Sequence, residues 1–188
     1  MMNVIAPLPL IFIVYDFFYT VLHWALHLKA IYAYIHKHHH HQKAPSRANI
    51  DAINVHPLEF FLGEYNHLFA VYLITHIFHI QVHILTIGLF LAIGGALAGL
   101  NHTRFDVVLR FPILGFTIFD SKVHDVHHRI PQSNYGQYIM LWDVIFGSFR
   151  PYNQNDRISG KAQLDPKTGK SIEYMNALGN SSIAGKED

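Results

Sequence analysis

Eight of the sixteen histidines in this 188-residue chain fall into three clusters whose spacing suits metal binding. His23 and His27 are spaced i, i+4. In the run I35-H-K-H-H-H-H-Q42, His36, His39 and His40 have i, i+3, i+4 spacing. His124, His127 and His128 in H-D-V-H-H repeat it near the far end of the chain. On a helix, these spacings place the imidazoles of each cluster on one face. Eight imidazoles are enough for two metal ions that keep open positions. Neutral imidazole suits iron, copper, zinc or nickel, so spacing alone does not fix the metal. Burying so many titratable rings beside apolar chain is costly without a compensating ligand. A lone histidine is more often a satisfied polar side chain, and His67, His76, His79 and His83 are read that way. The last three share a predicted helical face, which would also suit a substrate or ion path. Asp16, Glu59, Asp106, Asp125 and Asp143 are candidates to orient imidazoles from outside the ligand sphere.

The elements that must position these rings are apolar. Hydrophobic residues make up 51% of the chain and charged residues 14%, against roughly a quarter charged in soluble domains. Three apolar stretches run over residues 4–28, interrupted by Asp16, then 58–80, then 84–100, where Gly88, Gly94, Gly95 and Gly99 suit close helix contact. A spanning helix needs roughly 20 mostly apolar residues. The expected fold is therefore all-α: an integral membrane helical protein with a histidine-rich helical cap holding a di-metal site. A buried soluble hairpin is the alternative. The N-terminal stretch lacks a basic n-region and a cleavage signal and is read as a retained membrane segment. Residues 105–119, broken by Asp106, Arg110 and Pro112, are read as interfacial.

Residues 1–150 are expected to form the membrane domain and 151–188 a polar, poorly packed tail. Lys29, Lys37, Lys43 and Arg47 precede the second stretch, and Arg104, Arg110, Lys122, Arg129 and Arg150 follow the third. The positive-inside rule puts both regions in the cytosol. The second and third stretches then form a hairpin, and every strong cluster meets on the cytosolic face. The sequons at Asn101 and Asn180 fall in predicted cytosolic segments, so no glycan is expected. Net charge is +1 and cysteine is absent. The first gives no support to nucleic-acid binding. The second excludes disulfides, thiolate metal sites and cysteine nucleophiles.

Further pieces join the clusters: D16-FFYTVL-H23-WAL-H27, H36-K-H-H-H40, H56-P-L-E59, N101-H102-T-R-F-D106, H124-D-V-H-H128, N134-Y-G136 and W142-D-V-I-F-G-S148. In this order they resemble the fatty acid hydroxylase superfamily, which includes sterol desaturases, sterol C4-methyl oxidases and fatty acid hydroxylases. The resemblance covers residues 16–150. It implies a membrane-bound, non-haem di-iron oxygenase that uses dioxygen to hydroxylate or desaturate a sterol or fatty acyl C–H bond. The implied metal ligands are His23, His27, His36, His39, His40, His102, His124, His127 and His128, and His56 is implied to be structural. The cofactor would be two iron ions, with zinc compatible in isolated protein. Trp24 stands where the family usually has arginine, and the piece after His102 lacks the usual glycine.

The reaction needs two external electrons, and the chain shows no haem, flavin or nicotinamide motif. Cytochrome b5 or a reductase-type donor is the expected partner, beside a lipid from the bilayer; an oligomer is left open. In a eukaryote the expected location is the endoplasmic reticulum, histidine boxes facing the cytosol. Two other readings stand beside this one. A non-catalytic metal-binding or transport protein would place its ligands mid-membrane, whereas these clusters sit at helix ends. A scaffold derived from the same fold would have no use for complete histidine boxes.

Overall fold

A computed structural model describes residues 2–42, 45–103, 105–110 and 117–152. The chain is mostly helical. A short turn, α1 (Met2–Ile5), leads into α2 (Pro7–Leu26). Pro7 opens α2, a position where its missing N–H costs nothing. A turn of helix, α3 (Lys29–Tyr32), leads through a turn bearing His36 into a 3-10 turn (His39–His41), and α4 (Asn49–Ala52) follows.

Next comes α5 (Pro57–Tyr72), continued by a π-helical turn (Leu73–Ile77), and then α6 (Ile84–Asn101). Both helices are capped by histidine. The His56 ring accepts from the Leu58 N–H at 3.2 Å, and the His83 ring from the Leu85 N–H at 3.1 Å. His56 is structural, as expected. The last described elements are an antiparallel ribbon, β1 (Val108–Arg110) with β2 (Thr117–Asp120), then α7 (Ser121–Arg129) and α8 (Leu141–Phe146). The Asp120 carboxylate caps α7 through the Lys122 N–H, and Gly147 stops α8 at φ +74°.

The core joins Ile11 and Tyr15 of α2, Ala70 and Ile74 at the far end of α5, Phe90 of α6 and Tyr138 of the loop before α8. Asn66 on α5 donates to the Tyr15 carbonyl at 3.1 Å. Helices α5 and α6 each lean on α2, and α6 also on α4; they have no comparable packing with one another. Since α2 and α6 run one way and α5 the other, the C-terminal ends of α2 and α6 and the N-terminal end of α5 share one side. His23, His27, Glu59 and His102 all lie there.

Three expectations need correction. Two helices, Pro7–Leu26 and Ile84–Asn101, are long and apolar enough to cross a membrane. The second stretch is not among them: its α-helix stops after 16 residues in a π-helical turn. The stretch 105–119 contributes two strands that an all-α reading did not foresee. The shared face proposed for His76, His79 and His83 fails because helix ends at Ile77 and His79 sits at φ +53°. Residues 153–188, with most of the expected tail and the Asn180 sequon, lie outside the described residues, as do Lys43, Arg104 and residues 111–116. Large apolar side chains remain exposed on α5 and α6, among them Phe61 at 65%, Leu68 at 64% and Ile84 at 72%. A continuous apolar surface of this kind is one that lipid or a partner covers.

Gly94 marks a tight joint between α6 and the loop before α8. A Cβ there would lie 2.8 Å from the Tyr138 hydroxyl and 3.2 Å from its ring, and Tyr138 is itself packed edge-on to Phe12 and stacked on Tyr15. Gly94→Ala is expected to destabilise the protein by about 1–3 kcal/mol, as overpacking does. A thermal melt unchanged from the parent would show that this joint is loose.

Candidate metal centre

The structure brings all nine sequence-predicted histidines into two adjoining groups. His23, His27, His36, His40 and His127 form one, and His39, His102, His124 and His128 the other, with the ring nitrogens of each group within 4.8 Å of one another. The groups share a wall, since the His40 and His128 ring centroids are 5.2 Å apart. Their sequence clusters are not kept whole. Each His-x-x-His-His box is divided: His36 and His40 go to one group and His39 to the other, while His124 and His128 go to one and His127 to the other. Consecutive helical side chains diverge by about 100°, so adjacent histidines reach either side of a divide. His36 precedes a 3-10 turn rather than lying on a helix, which aims the first box at both groups. His38 and His41 point outward, and His38 pairs with Asn54 at 2.9 Å.

The outer nitrogens have defined partners. His23 Nδ1 meets the Tyr135 carbonyl at 2.7 Å, His127 Nδ1 the Ser133 carbonyl at 2.7 Å, and His102 Nδ1 the Ala98 carbonyl at 2.8 Å. His36 Nδ1 meets Glu59 Oε1 at 2.8 Å. A carbonyl only accepts, so Nδ1 must carry the proton in His23, His102 and His127, and Nε2 is left with a bare lone pair. These lone pairs face inward. Nε2–Nε2 separations are 3.0 Å for His23–His36 and His36–His40, and 3.1 Å for His40–His127. In the second group they are 3.4 Å for His39–His102, 3.3 Å for His102–His124 and 3.2 Å for His124–His128.

Such spacing fits a metal. With nitrogens about 2.1 Å from an ion, neighbours at right angles lie about 3.0 Å apart and tetrahedral neighbours about 3.4 Å apart. The buried His27 Nε2 in the first group has no hydrogen-bond partner among the described residues, an orphan that a cation would satisfy. Burial, reinforced by neighbouring imidazoles, holds His27 down to about 2 and His40 to about 3, and pushes His39, His127 and His128 well below the usual range. The rings are therefore neutral near pH 7, the form that binds metals.

Of the five acids singled out, Glu59 orients a histidine directly. Asp16 and Asp143 act through backbone. Asp16 accepts from the Gln137, Tyr138 and Ile139 N–H groups at 2.9, 2.8 and 3.3 Å. Asp143 accepts from the Tyr135 and Gly136 N–H groups at 2.7 and 2.8 Å and from the Ser148 hydroxyl at 2.6 Å. Burial pushes the Asp143 carboxyl up, against these donors. The two carboxylates thus grip the loop whose Tyr135 carbonyl aims His23. Only glycine fits between them, since a Cβ on Gly136 would lie 2.9 Å from Asp143 Oδ2 and 3.1 Å from Asp16 Oδ2. Asp106 instead pairs with Lys122 at 3.0 Å, and Asp125 is buried on α7.

Sequence reasoning missed the carbonyls of Tyr135, Ser133 and Ala98, because a backbone acceptor has no residue signature. The N-Y-G piece was their one visible trace. Asn134 holds a left-handed turn at φ +55° and ties the loop to Arg150 through bonds of 2.7 and 2.9 Å. Asn101 is buried with its amide donating to the Gln137 carbonyl at 2.8 Å, which leaves no room for a glycan.

A cavity of about 450 Å³ abuts the first group. Tyr19, His23 and Leu26 of α2, Glu59 and Phe60 of α5 and Ala98 of α6 help to wall it, and its size is that of a small-molecule site. His67 also lines it, its ring tilted against Tyr15 with centroids 4.3 Å apart and its Nε2 3.3 Å from the Tyr138 hydroxyl.

Comparisons with known proteins agree with this geometry. The family model for fatty acid hydroxylase matches residues 8–148. Protein CER1-like 2 of Arabidopsis thaliana is 28% identical over 138 residues, 71% of this chain and 22% of that protein. Human lathosterol oxidase is 32% identical over 142 residues, 72% of this chain and 42% of the oxidase. Rat methylsterol monooxygenase 1 is 31% identical over 154 residues, 79% and 49% of the two chains. The chain thus spans between a fifth and a half of the length of these relatives. No solved structure gives a significant match.

Two outcomes follow from the site. Removing the carboxylate that orients His36, in Glu59→Ala, is expected to weaken metal binding about 10- to 100-fold, as read by competition with a chelator; unchanged affinity would show that Glu59 does not act on the metal. In metal-free protein, an unfolded histidine takes up a proton near pH 6.5, whereas folded His27 and His40 resist until about 2 and 3. Their contribution is whole above pH 6.5 and is lost as pH falls from there toward 3. The melting temperature of the stripped protein should fall across that window; a flat profile would contradict the burial of these rings.

Proposed function

The chain belongs to the fatty acid hydroxylase family, and we propose that it is a membrane-embedded, non-haem di-iron oxygenase that hydroxylates or desaturates a lipid C–H bond with dioxygen and two external electrons. The observation that carries this reading is the pair of imidazole groups, lone pairs turned inward, with a cavity against one of them. Iron is the metal that members of the family generally use, and the all-imidazole donor set accepts it. Matched relatives bear the names of a sterol oxidase and a methylsterol monooxygenase, which supports a lipid substrate. Two apolar helices and the exposed apolar sides of α5 and α6 support a bilayer setting.

When bound, the two irons supply the redox chemistry with dioxygen. The chain's own residues do the rest. Nine imidazoles would hold the metals, and burial keeps His27, His39, His40, His127 and His128 neutral. The carbonyls of Tyr135, Ser133 and Ala98 and the carboxylate of Glu59 keep their protons on Nδ1 and fix ring orientation. His23 is both a member of the first group and part of the cavity wall, so a lipid in the cavity presents a C–H bond next to it. The apolar walls exclude water from that contact. The electrons come from a separate donor, cytochrome b5 or a reductase, docking on the histidine side, which faces the cytosol. In a eukaryotic cell that membrane is the endoplasmic reticulum.

Expression of the wild type and of His127→Ala in one host tests this. Wild-type protein should carry iron and change the host's lipid profile by an added hydroxyl or a lost pair of hydrogens. His127→Ala should lose metal from the first group and return the profile to background. Lipid profiles that are identical, with iron absent from both proteins, would remove the oxygenase reading and leave a non-catalytic scaffold.

A further inference from the structure

The cavity beside the first group is not closed. Among its lining residues, Phe60 on α5 and Leu91 on α6 are 47% and 45% exposed, and Glu64 and Gly95 are exposed as well. Residues that line a cavity and also reach the surface mark its mouth. This mouth lies between α5 and α6, the two helices that lean on α2 and hardly on each other. Toward their far end, Ala70, the adjoining Ile74 and Phe90 share one core cluster. Gly63 on α5 and Gly95 on α6 both line the cavity, and a Cβ on either would meet nothing within 4 Å. The surface around the mouth is apolar, with Phe61, Tyr65 and Leu89 exposed.

The other apolar hollow does not serve this purpose. About 280 Å³ in volume, it is lined by Phe12, Leu97, Leu109, Ile118 and Phe119 among others and touches none of the nine histidines. From the apolar run of 105–119, Leu109, Ile118 and Phe119 line that hollow and none lines the cavity beside the metal centre.

We infer that a lipid reaches the metal centre sideways, through the gap between α5 and α6, and that Gly63 and Gly95 set the width of chain or ring that passes. This rests on the oxygenase reading for its purpose but not for its geometry. The ligand class is a single lipid with an apolar body, taken from the apolar phase in which these helix faces are immersed. Missing side chains at two points of the rim leave room for a bulky or branched body that a Cβ pair would turn away. Glu64 adds one acidic group to the rim.

The absence of native cysteine allows a direct test. Gly95→Cys and Gly88→Cys each place a lone thiol on the same face of α6, since seven residues are two turns, about 10.5 Å apart. Neither new side chain meets a neighbour, and Gly88 does not line the cavity. Each thiol is labelled with bimane in the full-length protein in detergent micelles and titrated with nitroxide-labelled stearic acid. Quenching should saturate at position 95 and rise only linearly at 88. Adding Gly63→Trp to the position-95 variant should abolish the saturation while the thermal melt and metal content stay at parental values. Linear quenching at both positions, or saturation that survives Gly63→Trp, would overturn the proposal.

Turnover gives the second arm. Gly95→Leu should lower kcat/KM for the bulkiest lipid converted by roughly tenfold and Gly88→Leu should not; equal effects would also overturn it. Saturable quenching in a protein that oxidises no lipid would keep the doorway and discard the oxygenase.

Discussion

Nine imidazoles crowd into two adjoining groups, with pairs of Nε2 atoms only 3.0 to 3.4 Å apart. In His23, His102 and His127 protons cannot relieve that crowding, because a carbonyl acceptor behind each ring holds its proton on the outer nitrogen. A cation relieves it. Among the described residues, a large share of the buried polar groups fixes the rings in this arrangement. Glu59 reaches from the first turn of α5, and the loop after α7 offers two carbonyls, Ser133 and Tyr135, to two different rings. The metal-free fold stores a debt of desolvation and lone-pair repulsion, and ligation cancels it.

The support of the loop is spread along the chain. Asp16 sits in the apolar middle of α2 with essentially no exposure, and it takes three backbone donors from residues more than a hundred positions away. A carboxylate in that setting is unfavourable unless its oxygens are filled with donors, and the loop fills them. Asp143 holds the same loop from the other side, with Gly136 between. The position of His23 therefore depends on contacts made at both ends of the described chain, which makes the centre a property of the whole fold.

Much of the site was legible in the sequence because imidazole is distinctive and its spacings are short. All nine proposed ligands meet, including His102, which spacing alone did not single out. The helices were legible as apolar stretches, and His56 as a structural residue, though not as the cap of α5. What was hidden depends on distance or on backbone. Whether His39 and His40 serve one group or two is decided by a 3-10 turn, and the sequence shows that as an unbroken histidine run. The early end of α5 in a π-helical turn carries no proline or glycine to announce it. The strands of 105–119 are only three and four residues long and pair across a stretch of mixed character. The carbonyls that set the tautomers belong to residues chosen for other reasons, so their role emerges only once the loop has a shape.

The divided histidine boxes have one more consequence. His39 and His40 are bonded neighbours, as are His127 and His128, yet each pair is split between the two groups. An ion captured by either group pins the backbone that presents ligands to the other. The entropy of ordering both boxes is then spent mostly on the first ion, and the second finds its donors already in place. Loading should be cooperative, with half-filled protein scarce at equilibrium, and the two positions are built to fill or empty as a pair.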